Sequence, residues 1–248
     1  MTRTVAIIQA RTGSTRLPGK VLLPLLGEPL LVRVVRRVAR ASTVDATVVA
    51  TSTSPNDDAI ADLAAREGWL VARGSETDLL DRYLQAARAH GAERVVRITS
   101  DCPLIDPDVI DAVVGALESA AADYASNTLD PRTFPRGLDV EAMTMATLEA
   151  AGRADHDPAS REHATPFIYR HPELFRLVGV PSDDDRSDHR WSVDTSDDYE
   201  LVTRIYETLG RDDFTWPEAM AVVEAHPDWM DVNRHVVQKT VPLPPSSS

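Results

Sequence analysis

There is one cysteine in 248 residues, Cys102, so neither an intramolecular disulfide nor a thiolate zinc cluster can form, and a reducing, cytoplasmic compartment fits that usage best. Lysine is almost as scarce: among 26 basic residues only Lys20 and Lys239 are lysines, and the rest are arginines. No apolar run approaches the ~20 residues of a spanning helix. The N-terminus enters a strand-like segment without a charged-then-apolar leader, so neither membrane insertion nor export is expected. Positive charge is in deficit, with 39 acidic residues against those 26 and a net charge of −13. That balance opposes non-specific binding to nucleic acid or anionic lipid, and an anionic ligand must meet a focused site. No internal repeat is present. An apolar content of 43% is ample for a core in a chain of this length.

What the sequence does contain is a rhythm. Short apolar runs end at Gln9, Thr51, Ala72 and Thr99. Between them lie segments with helical spacing of apolar residues: Glu28 to Arg40, Ser54 to Arg66, Leu79 to Ala87 and Pro107 to Leu117. In the first of these, Arg33, Arg36, Arg37 and Arg40 fall between the apolar positions and read as a solvated face. Four alternations of strand and helix predict parallel pairing with right-handed crossovers, a doubly wound α/β sheet. The rhythm breaks after Tyr124. From 127 to 190 a mixed α+β stretch follows, with strand-like Leu138 to Met143, helical Thr147 to Arg153 and Arg161 to Tyr169, and strand-like Phe175 to Val180. A core-type strand, Arg190-Trp-Ser-Val-Asp194, is expected next, and then helices from Thr195 and Thr215. The expected organisation is one domain over 1–240 with 127–190 as an insertion, and a disordered tail at 241–248.

In such sheets ligands bind beyond the carboxyl ends of the strands. The first of these ends opens into Gln9-Ala-Arg-Thr-Gly-Ser-Thr-Arg-Leu-Pro-Gly-Lys20, a loop that Gly13, Ser14, Pro18 and Gly19 keep from being helical. Arg11, Arg16 and Lys20 give it three cations, and backbone N–H groups of a Gly-rich turn can join them around a polyphosphate. One of the two lysines in the chain lies here, and a compact ammonium suits a single phosphate oxygen. The loop is not a P-loop: five residues separate Gly13 from Gly19, and Val21 follows Lys20 where a magnesium-binding hydroxyl would stand. Metal must be held elsewhere. Asp101 in Thr99-Ser-Asp-Cys-Pro103 and Asp194 in Trp191-Ser-Val-Asp-Thr195 are both strand-end carboxylates. Asp197 and Asp198 in the following helical turn read as dipole-complementing structural acids.

The loop Ala10 to Lys20 resembles the signature of cytidylyltransferases that activate sugar acids as CMP esters, in particular the spore-coat polysaccharide biosynthesis protein F type. The resemblance extends through Arg73-Gly-Ser-Glu-Thr-Asp-Leu-Leu-Asp-Arg82, Ser126-Asn-Thr128, Phe134-Pro-Arg-Gly-Leu-Asp-Val-Glu141 and Arg161-Glu-His-Ala-Thr-Pro166. It implies a Rossmann-like nucleotidyltransferase that uses CTP and magnesium, with Asp101 and Asp194 as the metal-holding pair. By the same analogy Gln9, Ala10, Arg11, Gly13, Ser14, Lys20, Arg73 and Ser100 face the nucleotide. Arg11, Arg16, Lys20 and the two aspartates carry catalysis, and Arg136, Gly137, Asp139, Glu141, Arg161 and His163 face a small anionic acceptor, a sugar acid or a phosphonate. Position 136 departs from the acidic or small residue expected of many relatives, so the acceptor stays open. A homodimer is expected, since 127–190 is short for a core of its own and the corresponding region of relatives packs on a second subunit. The alternatives are a uridylyl- or guanylyltransferase acting on sugar phosphates, and a nucleotide-binding subunit without turnover.

Overall fold

The computed structural model describes residues 2–238; the expected tail at 241–248 lies outside them. The chain opens with β1 (Thr4–Gln9), a 3-10 turn at Lys20–Leu22, a small antiparallel ribbon of β2 (Pro24–Leu25) and β3 (Glu28–Pro29), and α1 (Leu30–Val38). Then come β4 (Ala46–Ser52), α2 (Asp58–Glu67), β5 (Leu70–Gly74), α3 (Leu79–Ala89), β6 (Arg94–Thr99) and α4 (Pro107–Ser119). The second half holds β7 (Tyr124–Ser126), β8 (Glu141–Thr144), α5 (Met145–Ala154), α6 (Pro158–Arg161), α7 (Pro166–Arg170), β9 (Leu177–Gly179), α8 (Ser196–Leu209), α9 (Trp216–Ala225) and α10 (Met230–Asn233).

One seven-stranded sheet runs β5-β4-β1-β6-β8-β7-β9. Its first four strands are parallel, as alternation with helices requires. Along β1 the side chains divide between two cores: Val5 and Ile7 join α3 and α5 on one face, while Ala6 and Ile8 join α1, α4, α8 and α9 on the other. That double burial explains a run of apolar residues without alternation. The second half does not leave the sheet. β8 lies antiparallel between β6 and β7, with Arg97 opposite Glu141, and β9 runs parallel to β7.

Three local expectations are corrected. The helix expected over Arg161 to Tyr169 is broken into α6 and α7, because Ala164 takes a left-handed φ of 69° and Pro166 disfavours helix in the residue before it. Arg190 to Asp194 is extended but forms no ladder. The Trp191 amide donates to the Arg136 carbonyl (2.6 Å) and the Val193 amide to that of Asp101 (2.8 Å), so each bonds a loop beyond the sheet edge. Arg36 in α1 and Arg40 just after it are exposed, but Arg33 and Arg37 are buried. The Arg37 guanidinium donates to the Ile105, Asp212 and Phe214 carbonyls and lies 4.2 Å over the Phe214 ring. Arg33 binds the Leu25 and Leu26 carbonyls and pairs with Asp212 at 3.0 Å. A fully exposed carbonyl-rich turn would be solvated by water; here two arginines replace that water.

Candidate active site

The first loop is anchored from the side. Asp57 accepts from the Thr12 amide (2.7 Å) and the Thr12 hydroxyl (2.8 Å), while its other oxygen accepts from the Ser52 hydroxyl. Burial pushes the Asp57 carboxyl up, but these donors more than offset it and the net shift is downward. Asp57 is therefore a charged peg between the ends of β1 and β4. Further along, the Gly19 amide donates back to the Thr12 carbonyl (3.0 Å), and Gly19 itself sits at a left-handed φ of 68°. That conformation, which glycine adopts at no steric cost, turns the chain into the 3-10 turn and aims Lys20 inward.

Lys20 is 7% exposed. Its ammonium lies 2.7 Å from Asp101 Oδ2 and 2.8 Å from Asp194 Oδ1. Burial draws the Lys20 pKa down, yet the two carboxylates outweigh it and hold it above the ordinary 10.5. Asp101 is likewise pushed up by burial and pulled further down by Lys20, ending below the ordinary 3.8. Asp101 follows β6 directly: the Ser100 amide is tied to the Gln9 carbonyl (3.1 Å), and the Val193 amide to that of Asp101. This last bond sets the residue before Asp194 against Asp101.

Asp194 is held by charge. Its Oδ2 accepts from Arg190 (2.6 Å) and pairs with Arg16 (3.0 Å), so only Oδ1 turns to Lys20. Beneath it, Asp198 is fully buried and binds Arg190 Nε (2.8 Å), Asn233 Nδ2 (2.9 Å) and the amides of Asp194 and Thr195 (3.0 Å each). Asp198 also closes a capping box with Thr195 at the start of α8. Its structural reading thus stands, with a larger role than dipole complementation. Arg190 and Asn233 were not singled out in the sequence; a basic residue four before Asp194 was the available signal for the first, and nothing local marked the second.

Beside this cluster a cavity is lined by Gln9, Ala10, Arg11, Arg82, Thr99, Ser100 and Asp101. Five of these are expected nucleotide or catalytic positions. Arg82 is an addition: it is buried on α3, donates to the Ser75 carbonyl (2.6 Å), and leaves its Nε without a partner. Gly74 makes room for it, since a Cβ there would stand 3.2 Å from Arg82 Cγ. Burial first, and then Arg11, lower the Arg82 pKa. A charged residue on the apolar face of a helical segment was its sequence signal. Arg73 is not among the lining residues. It holds the β4–α2 connection through the Ser52 carbonyl (2.8 Å) and Asp58 (2.7 Å). Gly13 and Ser14 lie in the first loop, Gly13 exposed and Ser14 half-buried with its hydroxyl accepting from the Leu17 amide (3.3 Å).

The expected acceptor residues are spread wider. Glu141 is buried between Arg97 and the Tyr124 hydroxyl. Asp139 pairs with Arg132 and accepts from the Gly137 amide (3.2 Å). Gly137, at φ 106°, packs so closely on the chain after Arg190 that a Cβ would be 2.6 Å from the Ser192 nitrogen. Arg136 lines a different hollow with His189, Arg190, Asn233 and Arg234. Arg161 is engaged by Asp78 (2.7 Å) and the Asp155 carbonyl (2.8 Å), which ties α6 to the start of α3. His163 is half-buried; burial depresses its pKa, Glu162 opposes this, and Arg97, Arg11 and Arg170 add to the downward shift.

The mostly parallel sheet, with a cationic loop and two carboxylates meeting beyond its carboxyl edge, is the architecture of a nucleotidyltransferase. A family model described as cytidylyltransferase matches residues 5–216. The chain is 33% identical over 230 residues to the spore coat polysaccharide biosynthesis protein SpsF of Bacillus subtilis, covering 90% of this chain and 94% of that one. It is 44% identical over 123 residues to a 3-deoxy-manno-octulosonate cytidylyltransferase of Anaeromyxobacter dehalogenans, covering 48% and 49%. Among solved structures, a cytidylyltransferase from Leptospira borgpetersenii superposes with a TM-score of 0.89 at 32% identity, covering 93% and 97%. The chain belongs to the cytidylyltransferase family, and it is an enzyme.

Proposed function

We propose that the protein transfers CMP from CTP to a small acidic acceptor, a sugar acid or a phosphonate, and releases pyrophosphate. The observation that carries this reading is the meeting of Lys20, Asp101 and Asp194 at the carboxyl edge of the sheet, next to a cavity walled by Arg11 and Arg82. Family membership supports the choice of CTP, and the names of the sugar-acid-activating relatives support the acceptor class.

Nucleotidyl transfer gathers charge on phosphoryl oxygens, and cations fixed beforehand stabilise it at low reorganisation cost. Lys20, Arg11 and Arg16 supply such charge around the first loop, whose backbone Asp57 holds in place. The loop's anchoring and the aligned ends of β1 and β6 orient the nucleotide, so the displacement is in effect unimolecular. Asp101 and Asp194 fit a magnesium ion. Their facing oxygens already share one cation, the Lys20 ammonium. Magnesium takes few carboxylates and completes its shell with water and phosphate oxygens. Bound there it would polarise the α-phosphate and the attacking oxygen. In this reading, as the family resemblance implies, His163 and Glu141 serve the anionic acceptor; Glu141 is buried in its pair with Arg97. No covalent nucleophile is required.

Two further parts of the reading are a homodimer formed through 127–190 and a cytoplasmic location. Among the described residues no helix is long and apolar enough to cross a membrane. The test of the main reading is pyrophosphate release from CTP over a panel of sugar acids and phosphonates, with and without EDTA, beside thermal shifts with CTP, UTP, GTP and ATP. Equal stabilisation by all four nucleotides, or turnover that survives EDTA, would overturn it.

A further inference from the structure

Asp194 offers only one carboxylate oxygen to the site. Its Oδ2 is taken by Arg190 and Arg16, at 2.6 and 3.0 Å, leaving Oδ1; from Asp101 the facing oxygen is Oδ2. Those are the two oxygens that the Lys20 ammonium holds. A divalent ion bridging the aspartates through the same oxygens would stand about 2.1 Å from each, in space the ammonium fills. The two cations cannot stay side by side, because charges a few ångströms apart in a poorly solvated site repel strongly. Nor can the position stay without a cation at small cost, since two carboxylates would then face one another behind a side chain that is 9% exposed. Lysine is suited to leaving: its charge rides on a flexible stem, whereas the guanidinium of Arg190 is locked by Asp198.

We propose that the Lys20 ammonium and the metal ion are alternative occupants of one position between Asp101 and Asp194. The ammonium holds it in the nucleotide-free enzyme and moves to the phosphates of bound CTP as the metal enters. The proposal rests on the reading that these aspartates hold a divalent cation, and it deepens that reading by assigning an order. Metal binds weakly before nucleotide and tightly after it, because the triphosphate gives the displaced ammonium a second partner. By linkage, metal strengthens nucleotide binding by the same factor.

The scarcity of lysine makes the exchange observable. Protein labelled with 13C at lysine Cε gives signals from Lys20 and Lys239 only, and Lys239→Arg assigns them. Magnesium alone at millimolar concentration should leave the Lys20 signal near its starting position. Magnesium with an α,β-non-hydrolysable CTP analogue should shift it, leaving Lys239 unmoved. In parallel, Mn2+ affinity of the nucleotide-free protein is read by electron paramagnetic resonance. Lys20→Met should bind Mn2+ at least tenfold more tightly than wild type, and Lys20→Gln serves if circular dichroism shows that Lys20→Met is unfolded. Arg16→Met removes the cation 3.0 Å from the outer oxygen and should change Mn2+ affinity less than threefold. A stationary Lys20 signal while Mn2+ binds overturns the exchange and leaves the metal reading intact, as does equal tightening by Arg16→Met. Absence of Mn2+ binding to every variant, with or without nucleotide, overturns both.

Discussion

The two aspartates of the site are held by different physics. Asp101 hangs from the end of β6, and the bonds that fix it are mostly backbone: Ser100 to Gln9 on one side and Val193 to its own carbonyl on the other. Asp194 ends a stretch that pairs with no strand, and a buried network of Arg190, Asp198 and Asn233 holds it. The lesson is that one carboxylate inherits its position from the sheet, while the other depends on side chains that can be removed singly.

The sharpest way to break the second arrangement is Asp198→Ala. Buried Arg190 would keep Asp194 but lose its fully buried carboxylate partner, and removing one partner of a buried pair costs about 3–5 kcal/mol. Urea unfolding should show this loss, while an equally drastic change at the exposed Asp58, which pairs with Arg73 at the surface, should cost about 1 kcal/mol or less. Matching losses would mean the network contributes nothing beyond a surface pair.

Next in size is the chemistry. Lys20→Ala should lower kcat/KM by roughly a hundredfold or more, the loss of about 3 kcal/mol expected for one preorganised donor. If the pair holds one magnesium ion as proposed, Asp101→Asn and Asp194→Asn should each raise the magnesium requirement, and the double variant should be little worse than the worse single one. Strictly additive losses in a double-mutant cycle of pyrophosphate release would separate the pair.

A smaller effect isolates the loop that props Asp194. In Gly137→Ala the new methyl meets the backbone at Ser192, and the φ of 106° is one alanine avoids. A stability loss of about 1–3 kcal/mol should follow, with kcat falling more than the KM for CTP, since Arg11 and the first loop are untouched. An unchanged kcat would show that this contact does not set Asp194.

Much of the first half was legible because parallel strands buried on both faces and amphipathic helices leave strong periodic signals. Asp101 could be placed at a strand end from that rhythm alone. The second half was harder, since β7 has three residues, and the Arg190 to Asp194 stretch looks like a strand while its hydrogen bonds go to loops. Arg33 and Arg37 were read as solvated because spacing records which face a residue is on, not whether carbonyls of distant loops cover that face. Asn233 was invisible for a similar reason: its partners, Arg190 and Asp198, lie far back in the chain.

The smallest effect expected is in pH dependence. Asp101 lies below its ordinary 3.8, so the stability it adds is present above that value and is lost as pH falls through its lower folded pKa. Lys20 lies above 10.5, so its share is present below that value and is lost as pH rises through the higher folded one. The stability curve should be flat from these two groups across neutral pH, and Lys20→Met should erode both shoulders. Denaturation midpoints from pH 3 to 11 measure this; unchanged shoulders in the variant would detach the pair from stability.

Asn233 lies past residue 216, where the family match ends, yet it reaches both Asp198 and the Arg190 carbonyl. Lys20 meets Asp194 across 174 positions of sequence. On the ribosome this ordering has a temporal meaning. The sheet of β1, β4, β5 and β6 can form while the chain is still growing, but the support of Asp194 waits until Asn233, well beyond those strands, has emerged. A nascent chain stalled before Asn233 would hold the sheet but lack one of the two side chains that clasp Asp198.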